Sequence, residues 1–263
     1  MSQKRSVIIH YHLFKNAGTS IERLLSQSLG DTWQSWDKPS SGAKISGAEL
    51  QLWLDKNPKV RAISSHQLVP PVPEGEFEII PVVFLREPLS RVRSAWSFEW
   101  QKQQGLDEPK GSLADYIEDK FKQQNASVIA NFQVSRLSNT QYDATQQRLH
   151  RYNHDLLPAA CRFLDSLPFV GLVDRFSDSL RLMQHNTHKS FPGLVLKELK
   201  ENVTDDSHKS VEQKIESLRR EIGNELFDEL CVRNRMDLQL YSYARGLFHA
   251  SLQQLSDQVG SAQ

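Results

Sequence analysis

One stretch near the start constrains this chain most. Ser6 to Tyr11 is a run rich in β-branched residues that reads as a buried strand. Straight after it comes His12-Leu13-Phe14-Lys15-Asn16-Ala17-Gly18-Thr19-Ser20, and then an apolar helical face of Ile21, Leu24, Leu25 and Leu29, with Gly30 as its stop. The pattern is strand, loop, helix, and the loop holds a lysine, a glycine and two hydroxyls. Backbone N–H groups at such a helix start lack intrahelical partners, and the helix dipole adds partial positive charge. The stretch is therefore an anion site suited to phosphate or sulfate. The plainer alternative for Lys15 is an exposed lysine before a turn.

The loop does not follow the usual nucleotide pattern, G-x-x-x-x-G-K-[ST], in which lysine comes after the glycines. Here Lys15 precedes Gly18. The order Lys-x-x-Gly-Thr-Ser resembles the 5′-phosphosulfate loop of sulfotransferases that use 3′-phosphoadenosine 5′-phosphosulfate (PAPS), and within them the carbohydrate-type branch with its motif His-Ile-Pro-Lys-Thr-Ala-Gly-Thr-Ser. His12, Lys15, Ala17, Gly18, Thr19 and Ser20 are identical to it and Leu13 is conservative, while Phe14 replaces proline and Asn16 replaces threonine. The resemblance implies that Lys15, Asn16, Ala17, Gly18, Thr19 and Ser20 bind the nucleotide, with PAPS as co-substrate and no metal required.

Further along, Glu78 to Leu85 reads as a strand whose pairing begins after Pro81. Arg86-Glu87-Pro88 follows, and Pro88 fits the first turn of a helix that the pattern carries to Gln104. Arg86 and Ser94 are eight residues apart. The resembled family has an arginine at a strand end and a serine at that spacing, gripping the nucleotide 3′-phosphate; a guanidinium offers phosphate a planar fork of donors and serine adds a hydroxyl. Between these motifs, Lys59 to Ser65 reads as a strand ending at His66. In heparan sulfate 2-O-sulfotransferase and its relatives a histidine in this interval is the base. A sugar hydroxyl needs a positioned proton acceptor during attack, and histidine serves near neutral pH. The resemblance makes Lys15 and His66 the catalytic pair, Lys15 stabilising the oxygen that gains charge as the S–O bond breaks. The plainer alternative for His66 is a hydrogen-bonded histidine at a strand end.

Strands alternating with helices predict a parallel sheet, and ligands of such sheets sit at the carboxyl ends of the strands. Lys15, His66 and Arg86 each follow a different strand, so one crevice would collect all three. The fold expected is α/β: a P-loop-like parallel sheet flanked by helices, with a largely helical C-terminal half. Residues 6–105 would form the nucleotide-binding core and 106–263 the mainly helical remainder of one 263-residue domain.

Between these anchors, 31–47 reads as a loop with Trp33 and Trp36 that either meets an acceptor or covers the core, and 48–56 as a short helix. Beyond 111 the pattern predicts helices over 113–122, 127–137, 144–167 with a break at Pro158, and 176–187. A short strand falls at 169–173, and a long charged helix from 206 precedes a last one over 235–254. Asn131-Phe132-Gln133-Val134-Ser135-Arg136-Leu137 resembles the family's Asn-x-Gln-Thr-Arg segment near the nucleotide, which would give Arg136 a nucleotide contact. Phe169 to Phe176 and Asn234 to Tyr241 resemble structural segments of the same family.

Composition narrows the partners. The chain carries 32 basic and 32 acidic residues, which argues against a broad nucleic-acid or membrane footprint, so any anion site must be local. Cys161 and Cys231 are far apart and read as small buried residues rather than a disulfide or zinc pair. His150 and His154 read as a polar helix face. No apolar run reaches membrane-spanning length, and the first strand starts with no leader before it. The expectation is a soluble, cytoplasmic protein of bacterial type acting on a hydroxyl acceptor, a glycan or glycolipid by resemblance. Two rivals stand. A P-loop kinase would place its lysine after the glycines and a carboxylate at a strand end for Mg²⁺. A non-catalytic nucleotide-binding protein would keep the pocket without the chemistry.

Overall fold

The computed structural model describes residues 4–40, 42–100, 105, 111–123, 126–138, 155–197 and 209–261. Strand β1 (Arg5–Tyr11) lies at the centre of a parallel sheet of order β2-β3-β1-β4-β5. The others are β2 (Trp33–Ser35), β3 (Ala62–Ser65), β4 (Phe77–Leu85) and β5 (Gly171–Leu172). Val7, Ile8 and Ile9 are fully buried, as a central parallel strand with both faces covered requires. β1 meets β3 from Ile8↔Ala62 to Tyr11↔Ser65, and meets β4 from Arg5↔Phe77 to Tyr11↔Val83. The carboxyl ends of β3, β1 and β4 are thus neighbours.

Helices follow where the sequence provides faces and caps. In α1 (Gly18–Leu29), Ile21, Leu24 and Leu25 are buried, and Gly30 ends the helix at φ 51°. Ser46 and Glu49 form a capping box on α2 (Gly47–Lys56), and Ser112 and Asp115 another on α4 (Leu113–Lys122). Pro88 opens α3 (Pro88–Phe98), while the Glu87 carboxylate accepts from the N–H groups of Leu89 and Ser90. The remaining helices are α5 (Phe132–Leu137), α6 (Leu156–Asp165), α7 (Phe176–His188), α8 (Val211–Ile222), α9 (Asn224–Arg233) and α10 (Arg235–Ser261). The main core lies about the sheet. A second apolar cluster, with Leu89, Val92, Ile117, Leu218 and Leu230, joins α3 to α4, α8 and α9. This is the α/β sheet with a helical C-terminal half that the patterns predict.

Several local expectations need correction. Pairing of β4 begins at Phe77, before Pro81, which sits opposite Ile9. It is tolerated because β5 meets β4 only at Phe84 and Leu85, so at Pro81 the outer side of β4 has no strand among the described residues to receive an N–H. The 31–47 loop contains β2, a three-residue edge strand too short to show an alternating pattern. The helix expected over 127–137 is divided: a 3₁₀ turn spans Ala126–Val128, and Asn131 turns left-handed before α5. The break expected at Pro158 falls where α6 begins: Pro158 lies in its first turn, where no intrahelical N–H bond is lost. Gly223, at φ 81°, divides the long charged helix into α8 and α9. After Phe98, Glu99 and Trp100 continue as a π-helical turn. Residues 101–104, the first part of the 144–167 helix, His150 and His154 lie outside the described residues. Cys161 and Cys231 are free thiols, half-buried rather than buried.

Candidate functional site

Strand order reverses direction at β1: β2 and β3 lie on one side of it, β4 and β5 on the other. Ligands of open α/β sheets bind outside the carboxyl ends of strands at such a reversal. Here that position is occupied by the loop after β1, with His66 on the β3 side and Arg86 on the β4 side.

The loop is stiff and unusually shaped. Lys15 and Ala17 have φ 63° and 60°, while Asn16 between them does not take a positive angle. Backbone that passes in and out of the left-handed region in this way can form a concavity that favours anions. For a residue with a Cβ, each left-handed position costs about 1–2 kcal/mol, so the shape must be held. Asn16 holds it. Its side chain is buried, and Nδ2 donates to the Phe84 carbonyl at 2.8 Å and to Gln133 Oε1 at 2.6 Å. The Asn16 N–H closes a turn on Leu13 O at 3.1 Å. Asn16 Nδ2 therefore anchors the loop, while its buried Oδ1 has no hydrogen-bond partner among the described residues. Gly18 then starts α1. No side chain caps this helix and no acid occupies its first turn, so the partial charge of its N-terminus stays unneutralised there. Thr19 is exposed and Ser20 half-buried beside it. A Cβ on Gly18 would fall 1.8 Å from His12 Cδ2, which is why only glycine fits.

Arg86 reaches the loop from β4. Its Nη1 donates to the Lys15 carbonyl at 3.3 Å, and its buried Nε has no hydrogen-bond partner among the described residues. Burial lowers its pKa, opposed by the nearby charges of Asp174 and Glu87; an arginine so placed keeps its charge. A desolvated guanidinium with an unused donor beside an N–H cradle suits a phosphate. The backbone of Arg86 is clamped by Gln133, whose Oε1 accepts the Arg86 N–H at 3.0 Å and whose Nε2 donates to the Arg86 carbonyl at 2.9 Å. Gln133 is held in turn by reciprocal caps. Asp237 accepts from the N–H groups of Gln133 at 3.0 Å and Val134 at 2.7 Å, and Asn131 Oδ1 accepts those of Met236 at 3.0 Å and Asp237 at 3.2 Å. The starts of α5 and α10 thus cap each other. On α3, Ser94 shares a face with Phe98 four residues on. Phe98 meets Phe14 edge-on with centroids 5.3 Å apart and lies 4.3 Å from Lys15 Nζ. Ser94 is thus on the same face of α3 as the ring that meets Lys15.

His66 flanks the loop from β3. Its Nδ1 is 3.0 Å from the His12 carbonyl. A carbonyl only accepts, so Nδ1 carries the proton and neutral His66 has its lone pair on Nε2. His66 is an exposed residue, but desolvation of its ring, then the charge of His12, lowers its pKa; Asp37, the His12 carbonyl and Glu22 oppose this more weakly. Near neutral pH it is an uncharged base. Its ring lies 3.8 Å from that of His12, centroid to centroid, and His12 Nδ1 is 2.9 Å from Glu22 Oε1. Asp37 Oδ1 accepts from the His66 N–H at 2.9 Å and from Ser65 Oγ at 2.5 Å.

The structure thus places the loop of Lys15, Asn16, Ala17, Gly18, Thr19 and Ser20 between His66 on the β3 side and Arg86 on the β4 side, with Ser94 half-buried on α3. Arg136 comes to the β3 side as well: its Nη2 donates to the His66 carbonyl, two strands from Arg86. Trp33 and Trp36 pack against the core; Trp33 Nε1 donates to Ser64 Oγ at 3.1 Å, and Trp36 stacks on Trp53 at 5.0 Å. Sequence reasoning missed Gln133 as the clamp, although it lies inside a segment singled out for its resemblance. It also missed Asp37, for which no local pattern exists. Among the described residues no group of three or more His, Cys, Asp or Glu side chains could hold a metal ion, and no helix is long and apolar enough to cross a membrane.

No family model matches the chain. It is similar to an uncharacterized protein of Archaeoglobus fulgidus, 25% identical over 249 residues that cover 90% of this chain and 95% of that protein.

Proposed function

We propose that this protein is a sulfotransferase that moves the sulfuryl group of PAPS to an acceptor hydroxyl, on a glycan or glycolipid. The observation that carries the reading is the tautomer-fixed His66 standing beside a stiff, uncapped N–H cradle that Arg86 reaches from the other side. Base and anion site are separate, adjacent and on the same edge, as in-line group transfer needs. His66 Nε2 takes the proton as the acceptor oxygen attacks sulfur. Lys15 and the N–H groups of Gly18 and Thr19 stabilise the phosphate oxygen that leaves as the S–O bond breaks. Arg86 and Ser94 hold the 3′-phosphate. The products are a sulfate ester and adenosine 3′,5′-bisphosphate. The guanidinium of Arg86, whose Nε has no hydrogen-bond partner among the described residues, supports the assignment of a second phosphate to it.

The test is a labelled-sulfate transfer screen from PAPS over glycans, glycolipids and small alcohols, run beside an ATP–Mg²⁺ turnover assay. Transfer from PAPS is expected. Turnover of ATP with none of PAPS would replace this reading with phosphotransfer, and bisphosphate binding without transfer would leave a binding protein. Arg86→Ala should weaken adenosine 3′,5′-bisphosphate binding far more than adenosine 5′-phosphate binding, by calorimetric titration; equal losses would remove Arg86 from the 3′-phosphate.

A further inference from the structure

Three imidazoles stand together behind the loop. His10 and His12 alternate at the end of β1, with near-parallel rings 5.5 Å apart. His12 and His66 are closer, at 3.8 Å between centroids. His10 is buried, with Nδ1 3.1 Å from Ser64 Oγ. Desolvation first, then the charges of His12 and His66, push its pKa well below the ordinary histidine value, so near neutral pH it is an uncharged wall. His12 is the middle member: its ring meets both neighbours, and its carbonyl takes the His66 Nδ1–H at 3.0 Å.

The ring of His12 is set by α1. One edge lies against Gly18, where a Cβ would fall 1.8 Å from Cδ2 and 2.1 Å from Nε2. Its Nδ1 is 2.9 Å from Glu22 Oε1. A carboxylate only accepts, so Nδ1 is the donor. Glu22 lies one turn beyond Gly18 on the same face of α1, so that face both seats the ring and bonds it. Packing alone would not choose the setting. The outer torsion of histidine is broad and roughly two-fold, and a half-turn exchanges Nδ1 with Cδ2 while leaving the ring's outline nearly the same. The bond to Glu22 selects one of the two. Gly18, which the ring touches, opens the helix whose uncapped start is the anion site of the proposed function.

We infer that Glu22 is a positioning residue: through the ring of His12 it holds the base His66 in fixed register with the N–H groups at the start of α1. This rests on the sulfotransferase reading and adds to it a residue that acts through another. The charged or titratable groups facing His66 are His10 in β1, His12 just after it, Glu22 in α1, Asp37 after β2 and Arg136 in α5. Of these, Asp37 and Glu22 raise the His66 pKa against desolvation and His12. Removing the Glu22 charge therefore lowers that pKa further, while losing the ring setting lowers turnover.

The experiment uses the full chain as wild type, Glu22→Ala, Glu22→Leu and Glu22→Gln. Sulfuryl transfer from PAPS is measured with the best acceptor of the screen above, and adenosine 3′,5′-bisphosphate binding by calorimetry. The His12 and His66 rings are followed over pH by ¹⁵N NMR, with His12→Phe and His66→Ala assigning the signals. Glu22→Ala should lose about 10- to 100-fold in kcat, the cost of a misplaced group, with bisphosphate affinity little changed and the neutral His12 ring in mixed tautomers. Glu22→Leu, which keeps the side-chain volume, should do the same. Glu22→Gln keeps an acceptor for Nδ1 and should restore most of kcat and the single tautomer. In all three the His66 midpoint should fall. Wild type that transfers nothing from PAPS would sink the sulfotransferase reading and this inference with it. Wild type that transfers, with kcat kept in Glu22→Ala and Glu22→Leu, would overturn only the role of Glu22. So would equal losses of kcat in Glu22→Gln and Glu22→Ala, which would leave charge as the whole effect. Equal losses of kcat and bisphosphate affinity would make Glu22 a support of the loop instead, and an unmoved or raised His66 midpoint would show that it does not act at the base.

Discussion

Replacing Gln133 with alanine tests whether the site is held from behind. Its side chain is fully buried and makes three hydrogen bonds: from Asn16 Nδ2 at 2.6 Å, from the Arg86 N–H at 3.0 Å, and to the Arg86 carbonyl at 2.9 Å. After truncation Asn16 keeps the Phe84 carbonyl at 2.8 Å, but both backbone groups of Arg86 lose these partners. Each orphaned buried group costs about 1–3 kcal/mol, and a water entering the vacated volume recovers part of that. The expected loss is about 2–4 kcal/mol in urea unfolding followed by circular dichroism. Because the same bonds set the height of Arg86 over the loop, bisphosphate affinity should fall about tenfold or more. Gln133→Glu keeps the acceptor for the Arg86 N–H but loses the donor to its carbonyl, and should fall between. A loss under about 1 kcal/mol with unchanged nucleotide affinity would refute the clamp.

Gly18→Ala puts a methyl inside the His12 ring; overpacking of this kind costs about 1–3 kcal/mol. It should also disturb the His66–His12 bond, seen as a changed His66 ring shift in NMR. An unperturbed spectrum would mean the loop has more room than the structure gives. His66→Ala should lower turnover roughly 10²–10⁴-fold with little change in nucleotide affinity, and unchanged turnover would remove His66 from the chemistry. Under the proposed mechanism the active form is neutral His66, whose pKa is lowered. Activity should therefore rise with pH through a midpoint below the ordinary histidine value near 6.5 and stay level above it; a midpoint above 7 contradicts the assignment. Asp237→Ala leaves the fully buried Arg91 without the acid that acts on it most and uncaps α5. It should destabilise by about 3–5 kcal/mol in the same urea assay, and a loss below 1 kcal/mol would show that the caps are not coupled to Arg91.

Which parts of this were legible in the sequence follows from how local each cause is. β1 and α1 were, because buried β-branched runs and a four-residue apolar face are properties of adjacent residues. So was the convergence of Lys15, His66 and Arg86, because parallel strands can only put their ends on one edge. Pro81 misled because its tolerance depends on how short β5 is, a fact set some 90 residues later. The break at Asn131 was hidden because its reason is distant: it caps a helix that begins at Arg235. Gln133 gave no sign of its work for the same cause, since both its partners and its support lie far along the chain. Asp37 sits beside Lys38 and Ser40, which Gln67 fastens from far along the chain, and nothing in the local composition reveals that.

The loop itself shows why an anion cradle can do without the glycines of the common nucleotide pattern. Glycine would enter the left-handed region freely, but its freedom would have to be removed again on folding. Here lysine and alanine take that conformation at about 1–2 kcal/mol each, and the residue between them supplies the restraint. Asn16 spans from the loop to the end of β4 and to Gln133, so strain and anchor are set side by side. The same two bonds tie the Lys15 carbonyl to the height at which Arg86 meets it. A cradle built this way is rigid before any ligand arrives, and its shape, the reach of Arg86 and the seating of α5 on α10 cannot change independently. The segments from β1, β4, α5 and α10 that look unrelated in sequence are, in that sense, one device that holds a single turn in shape, the turn that would receive the anion under the proposed function.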